Sequence, residues 1–336
     1  MRRIAYCVFR SGYAIRNTKT MNPTSSYPSH TFRAMGSRIG LWLDTNPETA
    51  AAAFAQAEAL FAFNEQVLSR FLPESELSQL NGRAGEWVPV SDLLWNVVCD
   101  AVLQAEATNG LFDPTLLNAL EAAGYDRSFE LVAMTGTQIN ADDADKNWGN
   151  WRQIGLDADR QAIWLPPGMR LDLGGIGKGF TAQEAVELLS QWGPCLVDAG
   201  GDVTAGAAPR GLPGWPVALA APWTAESPEQ ADLLTLWLAE SSLATSGIDY
   251  RRWQSNGRAA HHLIDPRTGR PAQTDILTVT IWAEQATMAE AWATAVLVQG
   301  SAQGWQALTQ QPRLAGAIIT QNEHLLMTES LQGLIA

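Results

Sequence analysis

The sequence predicts an α+β fold in which mixed or antiparallel sheets pack against helices as two intimately associated lobes. Two observations carry this prediction. Strand-like and helix-like patterns follow one another without the regular alternation of a βαβ series, and a chain of 336 residues with 46% hydrophobic and 17% charged side chains can bury a large core. In chain order, Ser37 to Leu43 alternates like a strand. Asn46 and Pro47 then form a cap and first-turn signal for an alanine-rich helix reaching about Ser69. A second helix is expected from Ser91 to Asn109, closed by Gly110. Strand-like runs follow at Gln161–Leu165, Leu196–Val197, Val217–Ala220, Leu277–Ala283 and Leu314–Thr320, with helices near Thr181–Gln191 and Thr287–Gln299. Pro209–Trp215 and Ala221–Gln230 read as long surface loops.

A net charge of −13 argues against a surface that tracks nucleic acid or an anionic membrane, because neutralising phosphates takes clustered Lys and Arg. An anionic ligand therefore needs a local cation or a metal. No run is long and apolar enough to span a bilayer. Cys7, Cys99 and Cys195 lack C-x-x-C spacing, so neither a disulfide framework nor a thiolate zinc site is indicated. Fourteen tryptophans show no repeat and read as packing residues. Residues 1–30 contain Arg and Lys but no acid, with a short apolar run at Ile4–Phe9 cut off by Arg10. They read as a flexible leader, with Met21 as an alternative start, ahead of a single domain at 31–336. Without a recognisable export signal, a cytoplasmic location is expected.

The richest segment chemically is LDLGGIGKGF, Leu171 to Phe180. Its glycines let backbone approach a bulky anion, Lys178 supplies a cation, and the helix behind it offers free N–H groups and a positive dipole end. It fits neither G-x-x-x-x-G-K-[ST] nor G-x-G-x-x-G in register, so on its own it reads either as a phosphate site or as an ordinary turn. In MAEAWATAVLVQG, Glu290 and Thr294 lie four apart on one helical face, a spacing that suits a hard cation as well as an exposed face beside an apolar stripe. In HHLIDPRTGRP, His262 and Asp265 are both able to transfer protons, while Asp265-Pro266 with Gly269 equally describes a turn whose Asp caps its own backbone. LSRFLPESELSQLN at Leu68–Asn81 passes through a turn into a short helix, and LFDPTLLNAL at Leu111–Leu120 places Asp113 and Thr115 around a proline.

Taken in order, AMGS at Ala34–Ser37, LSRFLPESELSQLN, GLFDPT at Gly110–Thr115, LDLGGIGKGF, VDAGGDV at Val197–Val203, ATSGIDYRRW, HHLIDPRTGRP and AEAWATAVLVQG resemble the ApbE family of FAD:protein FMN transferases over residues 34 to 300. The resemblance implies an ApbE-like fold and an Mg²⁺-dependent transfer of the FMN half of FAD to a Thr or Ser hydroxyl of an acceptor protein, with release of AMP. It also implies flavin-nucleotide contacts at Met35, Phe71, Asn81, Leu111, Phe112, Asp113, Asp172, Lys178 and Ile264. The metal shell it implies comprises the carbonyls of Gly175 and Ala293 and the side chains of Glu290 and Thr294. Lys178 would support charge on the breaking phosphoanhydride, His262 would assist loss of the hydroxyl proton, and Asp265 would orient the His262 loop. The alternatives are a metal-dependent FAD pyrophosphatase giving FMN and AMP, or a degenerate FAD-binding protein. One position departs from the family pattern: Glu290 stands where the family usually has Asp, lengthening the carboxylate arm by about 1.5 Å.

Overall fold

Strands buried along most of their length build an eight-stranded sheet. Its strands are β1 (Ser29–Ala34), β2 (Ser37–Leu43), β3 (Cys195–Ala199), β4 (Asp202–Ala205), β5 (Ser241–Gly247), β6 (Ile276–Ala283), β7 (Ala315–Thr320) and β8 (Leu325–Met327). Their spatial order is their chain order, and every neighbouring pair is antiparallel. This computed structural model describes residues 27–127, 148–222, 232–249, 252–255 and 258–336. The leader up to residue 26, with Cys7 and Met21, and the expected loop beyond residue 222 lie outside the described residues. Ser29 and His30, read as the end of the leader, already pair with Trp42 and Leu41 in the first hairpin.

Local chemistry sets the helices. Asn46 Oδ1 accepts from Thr49 N at 2.9 Å to start α1 (Pro47–Leu68), and Ser75 caps α2 (Glu76–Gly82). Ser91 caps α3 (Asp92–Ala107), and Gly110 follows its end at φ +77°. The remaining helices that matter here are α4 (Leu117–Ala122), α5 (Gly177–Leu189), α6 (Ala286–Gln299) and α7 (Ser301–Thr309). The expected start of α5 at Thr181 is corrected to Gly177: two glycines of the loop adopt the helical first turn, so Lys178 projects from the helix itself.

Three packed layers position the site. Ile39, Leu41, Leu43 and Val197 of the sheet meet Ala53, Phe54, Ala57 and Phe61 of α1 and Ala182, Ala185 and Leu189 of α5. Val279, Ile281 and Ile318 meet Ala293, Val296 and Leu297 of α6. The opposite face is covered by the hairpin Trp215–Ala220/Asp232–Leu238, with Trp215 fully buried. A second core gathers α2, α3 and the small sheet of Trp87–Pro89, Ala162–Trp164 and Gly155–Asp157 around Leu171, Leu173 and Ile176, which holds the glycine loop in a fixed path.

Candidate active site

The start of α5 faces the middle of α6 and the beginning of β4. Lys178 Nζ donates to Glu290 Oε1 at 2.7 Å and to Asp202 Oδ2 at 2.9 Å. The other oxygen of Glu290 accepts from Gly179 N at 3.0 Å, and Asp202 Oδ1 accepts from Thr245 N at 2.9 Å. Glu290 thus supplies the anion that the first turn of α5 attracts, in the place the sequence reserves for a ligand phosphate. Gly177 and Gly179 do not make the tight turn their sequence suggests. Gly179 is needed for room instead, since a Cβ there would lie 2.5 Å from Glu290 Oε2.

Charge is concentrated in nearly dry surroundings, with only 5% of the Glu290 side chain exposed. Burial pushes the Glu290 carboxyl up to about 7 against the pull of Lys178, and Asp202 adds to the rise. Burial alone would lower the Lys178 amine, but Asp202 and Glu290 hold it well above its ordinary value. The 2.7 Å contact together with the Gly179 N–H favours the charged pair. Two carboxyl groups thus face one ammonium.

The donors nearby are hard oxygens. Thr294 Oγ1 lies 3.3 Å from Ser246 Oγ of β5, one turn of α6 beyond Glu290. Among the described residues no cluster of three His, Cys, Asp or Glu side chains could hold a metal ion; the donors gathered here are carboxylate and hydroxyl oxygens. Carboxyl groups outnumbering the ammonium, with the hydroxyls beside them, are donors of the kind a hard divalent cation takes. The extra methylene of Glu290 is taken up by its reach to Lys178 and Gly179.

A second group forms where the chain leaves α1. Asp172 Oδ1 pairs with Arg70 Nε at 2.8 Å, and Arg70 Nη2 donates to the Tyr125 carbonyl at 2.9 Å. Asp172 N donates to Pro114 O, tying the glycine loop to the Asp113 loop. Asp113 is buried: its Oδ1 accepts from both Thr115 N and Thr115 Oγ1, while its Oδ2 is buried with no hydrogen-bond partner among the described residues. Burial pushes its carboxyl up to about 6, against the opposing Thr115 bonds and Arg152. Such an orphaned acceptor suits a ligand donor.

Other expected contacts are partly spent on the fold. Asn81 donates to Leu171 O and accepts from Leu171 N, so its amide fixes the loop. Phe112 is buried against Gly175, Leu111 N donates to Thr108 O, and the Ile264 side chain lies in a small core with Leu116 and Leu120. Met35 sits at the tip of the β1–β2 hairpin with φ +51°, beside Gly36 at +65°. Ala34 pairs with Ser37 across this turn, whose two positive φ values match the twist of the strands. The Met35 Cε lies 3.7 Å from where a Cβ on Gly177 would be.

His262 lies at the edge of the Tyr125 ring, with centroids 6.4 Å apart, in an aromatic group that includes Phe71 and Trp253. Asp265 is bound on both oxygens by Arg267 and also accepts from Arg267 N. It locks the turn below His262. Lys178, Glu290 and Thr294 therefore gather with Asp202 and Ser246, while Asp172, Phe71 and His262 gather around Arg70 and Tyr125. Arg70, Asp202, Ser246 and Tyr125 were given no role by the sequence, although Asp202 and Ser246 fall inside the VDAGGDV and ATSGIDYRRW segments.

A family model described as the ApbE family matches residues 35–319. The chain is similar to the FAD:protein FMN transferase of Treponema pallidum, at 32% identity over 267 residues covering 74% of this chain and 72% of that protein. It is also similar to that of Chlamydia trachomatis, at 30% over 274 residues covering 77% and 79%. The crystal structure of the ApbE protein from Thermotoga maritima has the same fold, with a TM-score of 0.79 at 23% identity over 92% of this chain and 99% of that one. The flavin transferase ApbE from Vibrio cholerae gives 0.77 at 20% identity over 92% and 99%.

Proposed function

The chain belongs to the ApbE family, and from that premise we propose that it is an FAD:protein FMN transferase, moving the FMN moiety of FAD to a Thr or Ser hydroxyl of an acceptor protein with release of AMP. The observation that carries the reading is the assembly at the start of α5, where Lys178, Glu290, Asp202 and the hydroxyls of Thr294 and Ser246 bring a fixed cation and hard oxygen donors together.

Glu290 and Thr294, with the carbonyls of Gly175 and Ala293, would hold Mg²⁺, which when bound supplies positive charge against the pyrophosphate of FAD. The chain's own residues do the rest. Lys178 stays protonated between its carboxylates and presents a fixed charge where the phosphoanhydride breaks. Asp172, the orphaned Oδ2 of Asp113 and the exposed face of Phe71 are the groups left to orient the nucleotide. His262 takes the proton of the acceptor hydroxyl as its oxygen bonds to the FMN phosphorus. The P–O bond to AMP breaks, and AMP leaves with the electron pair. Asp265, through Arg267, keeps the loop bearing His262 in place.

Incubation with FAD, Mg²⁺ and an acceptor protein, read by intact mass and nucleotide analysis, tests the reading. An FMN adduct with AMP released only when acceptor is present is expected. AMP and free FMN without acceptor would make the protein a pyrophosphatase, and bound FAD with no turnover would make it a carrier.

A further inference from the structure

We propose that Arg70 is a positioning residue of the flavin-nucleotide site, holding an aromatic platform and the Asp172 carboxylate in their working places; this rests on the FAD reading above. Arg70 is the residue before Phe71 in the turn that follows α1, and only 5% of its side chain is exposed. Its guanidinium works in three directions at once. Nε holds Asp172 Oδ1 at 2.8 Å, Nη2 donates to Tyr125 O at 2.9 Å, and the plane lies over the Phe71 ring with Cζ 4.1 Å from the centroid. The same Cζ is 5.0 Å from the Tyr125 centroid, and Tyr125 stacks in turn on Trp253 at 5.7 Å.

Phe71 explains why this reaches beyond packing. With 42% of the residue exposed, burial does not fix its ring, and the cation against one face is what directs the other outward. Asp172, the other implied ligand contact in reach, is a mostly buried carboxylate whose counter-charge is Arg70. One side chain thereby sets the aim of two ligand-facing groups that come from sequence segments about a hundred residues apart. A lysine can keep the charge beside Asp172, but it lacks the planar fork needed to hold the Tyr125 carbonyl and back the Phe71 ring together.

The test uses the full chain with Arg70→Lys and Arg70→Gln, FAD titration by quenching of flavin fluorescence, and steady-state transfer with a saturating acceptor. Arg70→Lys is expected to melt within a few degrees of the wild type yet to bind FAD about tenfold more weakly. KM for FAD should rise in step while kcat stays within about threefold; Arg70→Gln should weaken FAD further. Adding Phe71→Leu to Arg70→Lys should cost less than the product of the two single effects, because the arginine acts through the ring. FAD affinity of Arg70→Lys within threefold of wild type, a fall in kcat with KM unchanged, or independent effects of Arg70 and Phe71 would each overturn the proposal. Wild-type protein that fails to bind FAD would instead overturn the transferase reading.

Discussion

Gly177 and Gly179 stand two residues apart in the first turn of α5, and replacing each by alanine separates two explanations for glycine in this loop. At Gly179 a Cβ would lie 2.5 Å from Glu290 Oε2, 3.0 Å from its Cδ and 3.2 Å from the backbone carbon of Ala286. The carboxylate can move only by giving up its bond from Gly179 N, and the Ala286 backbone cannot move without shifting α6. Losing a charge-assisted hydrogen bond costs about 1.5–3 kcal/mol, and overpacking a close contact adds about 1–3 kcal/mol. The gain in helix propensity returns about 1 kcal/mol. Gly179→Ala is therefore expected to destabilise the protein by about 1.5–5 kcal/mol. At Gly177 the nearest atoms to a Cβ are Met35 Cε at 3.7 Å and Leu68 Cδ1 at 3.8 Å, which is ordinary contact. Gly177→Ala should fall within about 0.5 kcal/mol of wild type or be slightly stabilising. Urea denaturation of the two variants under identical conditions measures the difference. Equal midpoints would show that Glu290 does not occupy the start of α5.

Three further outcomes are expected. Burial raises the Asp113 carboxyl from 3.8 to about 6, so the folded state holds this proton more tightly than the unfolded chain; the resulting stability is complete below about pH 4 and is lost as pH rises through about 6. The loss amounts to about 3 kcal/mol at about 1.4 kcal/mol per unit. Asp113→Asn should flatten the pH dependence between 4 and 7 in chemical denaturation, and parallel curves for the two proteins would remove Asp113 as the source. His262→Ala is expected to lower turnover by about 10²–10⁴ with FAD affinity unchanged, and unchanged turnover takes His262 out of the mechanism. Glu290→Asp withdraws the carboxylate from Lys178 and Gly179, so calorimetric Mg²⁺ titration should show tighter binding while the melting temperature falls; weaker binding would mean that the longer arm is the one the site requires.

What the sequence discloses divides by range. Asn46, Ser91 and Gly110 act within a few residues, and the helices they bound are legible to within about two positions. Asp265 is legible in the same way, since its partners are the next few residues. β4, only four residues long as DVTA, and β5, SSLATSG with four hydroxyls, do not announce themselves as strands. Their polarity is absorbed by contacts that only the sheet creates, such as Ser242 Oγ to Thr204 Oγ1 at 3.2 Å and Thr245 Oγ1 to Thr280 Oγ1 at 2.9 Å. The start of α5 was misplaced because glycine is a poor helix former. The carboxylate that compensates it, Glu290, lies 111 residues away in the chain.

The same distance explains why the glycine loop reads as an open phosphate cradle. Glycines, a lysine and a helix start do attract an anion, and the anion present is the protein's own Glu290. With Asp202 on the other side of Lys178, two carboxyl groups already face the one ammonium, so a bare pyrophosphate approaching it meets acidic neighbours as well as the amine. In the proposed transfer, that arrangement is the electrostatic reason a divalent cation would be called for beside the loop. It also makes the identity of residue 290 and the absence of a side chain at residue 179 parts of one device: the glycine makes room for the longer carboxylate, and the carboxylate completes the helix that the glycine would otherwise weaken.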